Sequence, residues 1–205
     1  MKKLIAMGLT VIMTAVAVCG CGSSDSGNDA KKSDNQTKQQ AVKVIDVDLT
    51  SEEYAFGVDK NKPELLTQVN DFIKEIKDNG TFDEICNKYF GDGNPTPVKS
   101  EKLDTSKDQL LVATNASFEP FEYMKGDSYY GIDMEIAAAL AKKLNKELVI
   151  QNMEFDSVCL SVGQHKSDIA MTGLTIKEDR KKYVNFTDSY YNAAQRLIVK
   201  GDSTE

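Results

Sequence analysis

Residues 168–180, DIAMTGLTIKEDR, hold the residue types and spacing in this chain that point most directly to chemistry. Ile169, Ala170 and Met171 read as a short apolar strand running into Gly173. Thr175 and Glu178 have the spacing of a capping box, in which a threonine hydroxyl accepts from the third helical N–H while the glutamate reaches back. A short helix is therefore expected to open at Thr175. A strand ending in glycine at a helix N-terminus turns unpaired backbone N–H groups and the positive end of a dipole outward, with Arg180 one turn in. Such a place suits a carboxylate or a phosphate. The same residues also fit an ordinary helix start, with Arg180 in the run DRKK as a solvated surface charge.

The elements that must position these residues alternate regularly. Residues 110–114 read as a strand, 132–144 as a helix with an Ala-rich apolar face, 148–151 as a strand and 155–163 as a short helix. Further strands are expected at 168–172, 184–186 and 196–199. Strands separated by helices imply an α/β fold with a mostly parallel sheet flanked by helices. Ligands in such sheets sit beyond the carboxyl ends of the strands. The loops at those ends, 115–123, 152–155 and 173–180, carry Phe118 and Phe155 together with Asn115, Thr175 and Arg180, and Thr172 stands just before the last of them. Apolar walls, a few polar groups and one fixed cation suit a small zwitterion with an apolar or amide stem. Phe118 and Phe121 read equally well as buried loop anchors.

Other chemistries find little support. The one histidine, His165, has polar neighbours and no cysteine or acidic cluster at metal spacing, so neither a metal nor a cofactor is expected. No Ser, Cys or paired-carboxylate arrangement at a strand end suggests a nucleophile with its base, and an enzyme is not expected. Against 25 Lys and Arg stand 32 Asp and Glu, a formal net charge of −7 without a basic stripe, which argues against nucleic acid as a partner.

Lys2 and Lys3 precede an apolar run from Leu4 to Val18, too short for a spanning helix and right for a secretory signal. The run ends in VCGCGSS, which resembles a bacterial lipoprotein signal. Cys21, preceded by Gly20, is the better lipid acceptor than Cys19, preceded by bulky Val18; Ala15, Val16 and Ala17 also offer an ordinary cleavage site. Residues 1–20 are then a signal peptide and 21–41, rich in Ser, Asp, Asn, Lys and Gln, a disordered tether. The chain would work at the extracytoplasmic face of the cell membrane, held there by lipid. Cys86 and Cys159 would remain, either as two buried thiols or as a disulfide.

Residues 42–58 show two strand-like stretches around a polar turn. Leu65, Leu66, Val69, Phe72, Ile73 and Ile76 follow a helical stripe opened by Lys62 and Pro63 and closed by Gly80. Thr81 looks like the cap of a second helix, with Phe82, Ile85, Cys86, Tyr89 and Phe90 on one face. Residues 92–108, rich in Gly, Pro, Ser and charge, read as a linker.

The run VATNASFEPFEYMKGDSYYGIDMEIAAALAKKL, followed by MEFDSVCLSVGQHKSDIAMTGLTIKEDRKKYVNFTDSYY, resembles the first lobe of the amino-acid-binding proteins of bacterial ABC importers, the family 3 extracellular solute-binding proteins. The motifs that carry it are the G-x-D helix start at Gly131 to Asp133, the MTG-x-T…R loop, and the F-T/S-x-x-Y-Y segment. The earlier block, LTSEEYAFGVDKNKPELLTQVNDFIKEIKDNGTFDEICNKYFG, looks like the carboxyl-terminal end of the same family, where it normally comes last. The resemblance thus implies a single lobe of the type II periplasmic-binding-protein fold in permuted order. Residues 42–91 would be the carboxyl-terminal-type segment, 109–205 the amino-terminal-type segment, and the second lobe would be missing.

Carried over by motif position, the resemblance implies that Arg180 holds a substrate α-carboxylate with help from the Thr175 backbone. The Gly173 carbonyl and the Thr175 hydroxyl would receive the α-ammonium, and Phe118 and Phe155 would flank the side chain. Asn115 stands where many members are acidic, which weakens the case for a cationic amino acid, and the second-lobe acid that completes the ammonium site in the family has no counterpart here. The expected function is recognition of a polar amino acid for ABC-type import, weak unless a second-lobe protein or a homodimer faces the site, with an ABC permease as partner. The alternative is an accessory lipoprotein that keeps the fold without a ligand of its own. The strand at 42–47 belongs to the absent lobe in the family, and three states stand open for it here: an unpaired edge, a continuation of the tether, or a dimer contact.

Overall fold

A computed structural model describes residues 42–201; the expected signal peptide, Cys21 and the tether lie outside these residues. In chain order the elements are β1 (Val42–Val44), β2 (Glu52–Tyr54), β3 (Gly57–Asp59), α1 (Pro63–Asp78), α2 (Thr81–Phe90), β4 (Gln109–Thr114), β5 (Ser117–Phe118), β6 (Glu122–Lys125) and β7 (Ser128–Tyr130). There follow α3 (Ile132–Lys143), β8 (Glu147–Asn152), α4 (Phe155–Gly163), β9 (Ile169–Ala170), a 3-10 turn at Arg180–Lys182, β10 (Val184–Phe186), β11 (Tyr191–Ala193) and β12 (Ile198–Lys200).

The described chain divides into two units, residues 42–44 with 198–201 and residues 45–197. In the first, β1 and β12 pair antiparallel, Val42 opposite Lys200 and Val44 opposite Ile198. The start of the 42–47 stretch thus finds its strand partner within the chain.

The second unit is built on a five-stranded sheet in the order β10-β3-β9-β4-β8. β4 runs parallel to both β8 and β9, whereas β3 is antiparallel to β9 and to β10. Four strands therefore share one direction and β3 alone opposes them, so the sheet is mostly parallel. Alternation along β4 and β9 serves both faces. Leu110, Val112 and Ile169 join the larger core with Phe72, Ile136 and Leu140 from the helices, while Ala113 and Ala170 pack with Val158, Val162 and Val184. Burying each of the Val, Leu, Ile and Phe side chains contributes about 1.5–3 kcal/mol.

The helices form for the reasons their sequences suggest. Pro63 takes the first helical position of α1, where its missing N–H is not needed, and Leu65, Val69, Phe72, Ile73 and Ile76 are buried along one stripe. Thr81 is the first helical residue of α2 rather than its cap; Gly80, at φ 84°, holds the cap position. Residues 92–108 form no helix or strand, yet they lie against the body: Val98 is buried and bridges to Tyr129, and Glu101 N–H donates to Leu148 O at 2.8 Å.

Two expectations need correction. No helix opens at Thr175. That residue bridges to Tyr54, the Ile176 N–H donates to Glu53 O at 3.1 Å, and both side chains of the capping box are engaged elsewhere, Thr175 Oγ1 with Glu52 and Glu178 with Lys181. The 115–123 stretch is not all loop either: β5, β6 and β7 make a three-stranded antiparallel sheet, with β6 and β7 turning at Gly126. Cys86 and Cys159 are free thiols, the first half-buried and the second buried. Among the described residues no helix is long and apolar enough to cross a membrane.

Candidate functional site

The carboxyl ends of β4, β8 and β9 and the amino end of α4 converge on a cavity of about 280 Å³. All seven residues anticipated for binding line it: Asn115, Phe118, Phe155, Thr172, Gly173, Thr175 and Arg180. Four that the sequence reading missed line it as well, namely Glu52, Tyr54, Ser117 and Glu122.

Arg180 opens the 3-10 turn and lays its guanidinium over the Phe155 ring, 5.0 Å from the centroid. Nη1 donates to the Thr175 carbonyl at 2.8 Å. Among the described residues no carboxylate lies within ion-pair distance of it, so it lines the cavity as a cation with no ion-pair partner. Phe155 is 38% exposed and Phe118 44%, enough for both rings to offer a face to a guest. Phe118 stacks on Phe121 at 5.5 Å, and Phe121 is buried; of this pair one is wall and the other anchor.

Glycine is required at 173. Its φ is +47°, and a Cβ there would stand 2.9 Å from the Phe118 ring. Its N–H is not open to a ligand, because it donates to Asp133 Oδ2 at 2.8 Å. The Ile176 N–H donates to Glu53 O, so the expected row of unpaired N–H groups is broken at 173 and 176; in the neighbouring loop Asn115 N–H donates to Thr172 Oγ1 and Ala116 N–H to Asn152 Oδ1. The Thr175 N–H is left without a protein partner among the described residues.

Thr172 and Asn115 line the cavity but are committed to its frame. The Thr172 hydroxyl donates to Glu122 Oε1 at 2.8 Å. The Asn115 amide donates to Met153 O at 2.8 Å, and its Oδ1 accepts from the Ser117 hydroxyl. Beneath them lie two buried acids. Burial, reinforced by the neighbouring Asp133 carboxylate, pushes Glu122 well above the usual carboxylate range; among the described residues its Oε2 has no partner. Burial also pushes Asp133 up, against the bonds it accepts from the Tyr190 hydroxyl and the Gly173 N–H.

Glu52 differs from both. Burial works to raise its carboxyl, but hydrogen bonds from Thr50, Thr175 and Gln195 and the charge of Lys177 hold it below the usual range. No sequence signal near Glu52 announces this, since its link to Thr175 spans 123 residues.

A larger hollow of 790 Å³ lies along α3, and its acids are already paired, Glu135 with Lys88, Glu147 with Lys107 and Asp108 with Lys146. His165 is away from the cavity, its ring bonded to Asp59 and Asn61. Among the described residues no group of His, Cys, Asp and Glu is placed to hold a metal.

The sequence model of the bacterial extracellular solute-binding proteins, family 3, matches residues 10–92 and 110–205. The chain is 39% identical over 100 residues to the arginine-binding extracellular protein ArtP of Bacillus subtilis, covering 49% of this chain and 39% of that protein. It is 30% identical over 111 residues to the probable ABC transporter arginine-binding protein ArtJ of Chlamydia trachomatis, covering 53% and 43%. Among solved structures it is similar to an ancestral arginine-binding protein bound to arginine, at 36% identity and a TM-score of 0.40, covering 42% of this chain and 38% of that one. The matched stretches span less than half the length of these relatives. Proteins of this kind bind solutes for transport, and this chain belongs to the bacterial extracellular solute-binding proteins, family 3.

Proposed function

We propose that this chain is a single, lipid-anchored, extracytoplasmic lobe that recognises a polar amino acid for ABC-type import. The observation that carries the reading is Arg180: a cation with no carboxylate partner among the described residues, held by the Thr175 carbonyl and the Phe155 face at a cavity mouth. A ligand α-carboxylate fits there, supported by the free Thr175 N–H. Phe118 and Phe155 flank its side chain, and Thr172, Asn115 and Gly173 shape the cavity. Because the relatives are named for arginine, L-arginine heads the set of ligands to test.

In this reading the segments 42–91 and 109–205 are the two pieces of one lobe in permuted order, joined by 92–108, with Cys21 as the lipid acceptor. Charge-assisted hydrogen bonds on an open face contribute near the low end of about 1.5–3 kcal/mol each. A few such contacts sum to about 4 kcal/mol, or roughly millimolar affinity. Tight binding then needs a facing lobe, which a second protein or a second copy can supply, and delivery needs a permease.

One observation favours the accessory reading, in which the lobe holds no ligand. The Gly173 N–H, the Thr172 hydroxyl and the Asn115 side-chain amide are already bonded, to Asp133, Glu122 and the Met153 carbonyl. A thermal-shift screen of the full chain against the twenty amino acids at millimolar concentration separates the two. A rise with a few polar amino acids in the wild type, lost in Arg180→Ala, supports binding; no rise with any of them supports the accessory role.

A further inference from the structure

We propose that Glu52 is the ammonium-binding carboxylate of this cavity, so that the single lobe recognises both charges of a free α-amino acid. The inference rests on the reading of Arg180 as the carboxylate site and extends it to the other end of the ligand.

Glu52 reaches the cavity from β2, whose pairing with β11 sets Glu52 opposite Ala193. Three donors orient its carboxylate: Thr50 Oγ1 at 3.0 Å and Gln195 Nε2 at 2.8 Å on Oε1, and Thr175 Oγ1 at 3.0 Å on Oε2. A carboxylate offers about four lone-pair directions, so roughly one stays open. Among the described residues no Lys or Arg lies within ion-pair distance of it, and Lys177 acts on it only through space. The donors that fix the group also favour its charged form.

Thr175 sets the spacing of the two charges. Its carbonyl accepts from Arg180 and its hydroxyl donates to Glu52, so one residue separates the cation from the anion without letting them pair. Two opposite charges left apart in one cavity suit a guest carrying both signs as substituents of one carbon. A hydroxyl donating to Glu52 also keeps lone pairs for the same ammonium, which joins Thr175 to the site. The other acids nearby do not suit the role. Glu122 is buried to 1% exposure beside Asp133, and burial favours its uncharged form. Asn115 carries no charge and is bound to Met153.

The test is calorimetry or an NMR titration of the full chain with L-arginine, L-glutamine and the desamino analogue of glutamine, which keeps the carboxylate and lacks the ammonium. Glu52→Gln is expected to weaken both amino acids by at least about tenfold and to leave the desamino acid unchanged. Glu52→Asp, which keeps the charge, is expected to keep the preference for the amino acid over its desamino analogue. Arg180→Ala is expected to weaken all three. Loss with Arg180→Ala but no change with Glu52→Gln overturns the assignment of Glu52 and leaves the carboxylate site standing. Weakening of arginine alone by Glu52→Gln overturns it too, because the carboxylate would then read a side-chain cation. A wild-type chain that binds none of the three overturns both.

Discussion

Replacing Gly131 by alanine tests how the cavity floor is built. Gly131 has a φ of +125°, and a Cβ there would stand 2.1 Å from the Phe121 carbonyl oxygen and 2.4 Å from its carbon. Neither neighbour is a flexible side-chain tip; both belong to the backbone. Relief requires the Phe121 peptide and the start of α3 to separate, which loosens Ile132 N–H to Pro120 O, Asp133 N–H to Phe121 O and Gly131 N–H to the Tyr89 hydroxyl. The backbone at 131 lies in a region essentially open to glycine alone, which costs a side-chain-bearing residue about 1–3 kcal/mol, and two or three weakened hydrogen bonds cost about 1 kcal/mol each. The total is about 3–6 kcal/mol, a drop in Tm of about 6–24 °C for a domain of this size. Gly126 is the internal control: φ is +60° and a Cβ would meet nothing within 4 Å, so only the φ term applies, about 1–2 kcal/mol or about 2–8 °C. Thermal unfolding of the full chain followed by circular dichroism measures both. If Gly131→Ala unfolds no earlier than Gly126→Ala, the packing of the Phe121 carbonyl against residue 131 is not what the geometry says.

Two further outcomes follow from buried ionisable groups. Glu122 is raised above its ordinary value of 4.5, so the folded chain holds a proton that the unfolded chain releases; its contribution is complete below that pH and is lost as pH rises. The urea midpoint of Glu122→Gln should therefore fall less between pH 5 and pH 9 than that of the wild type, and an identical fall would remove Glu122 from the account. Burial pushes the Cys86 thiol up to about 12 and raises Cys159 too, so a thiol reagent near pH 8 should label both only after unfolding. Rapid labelling of the native chain would contradict their burial.

The regular part of the fold is legible in the sequence because it rests on local periodicity. The stripe of Leu65, Val69, Phe72, Ile73 and Ile76 announces α1, and residues 155–163 match α4 from end to end. What escapes is set by partners far along the chain. The capping-box spacing of Thr175 and Glu178 is real, but Tyr54, arriving on β2, takes the Thr175 backbone into a bridge. The strands of the small antiparallel sheet are two to four residues long, too short for a period-two signal to emerge.

The cavity shows the same division. Its seven anticipated residues come from strand-end loops and family motifs, both readable in one stretch of sequence, and the structure brings them to one cavity. Glu52 and Tyr54 arrive from a different segment, and Glu122 is hidden within a four-residue strand too short to announce itself. The polar groups of Thr172 and Asn115 are anticipated as lining but not as already bonded, since those partners, Glu122 and Met153, depend on the tertiary arrangement.

The measurement that bears most directly on the central claim is a crystal structure of the chain with L-arginine or L-glutamine at the millimolar concentration that the open site calls for. The account predicts the α-carboxylate within hydrogen-bonding distance of the Arg180 guanidinium, with the side chain between Phe118 and Phe155. An amino acid seated in the hollow along α3, or a cavity left empty at saturating ligand, would contradict it.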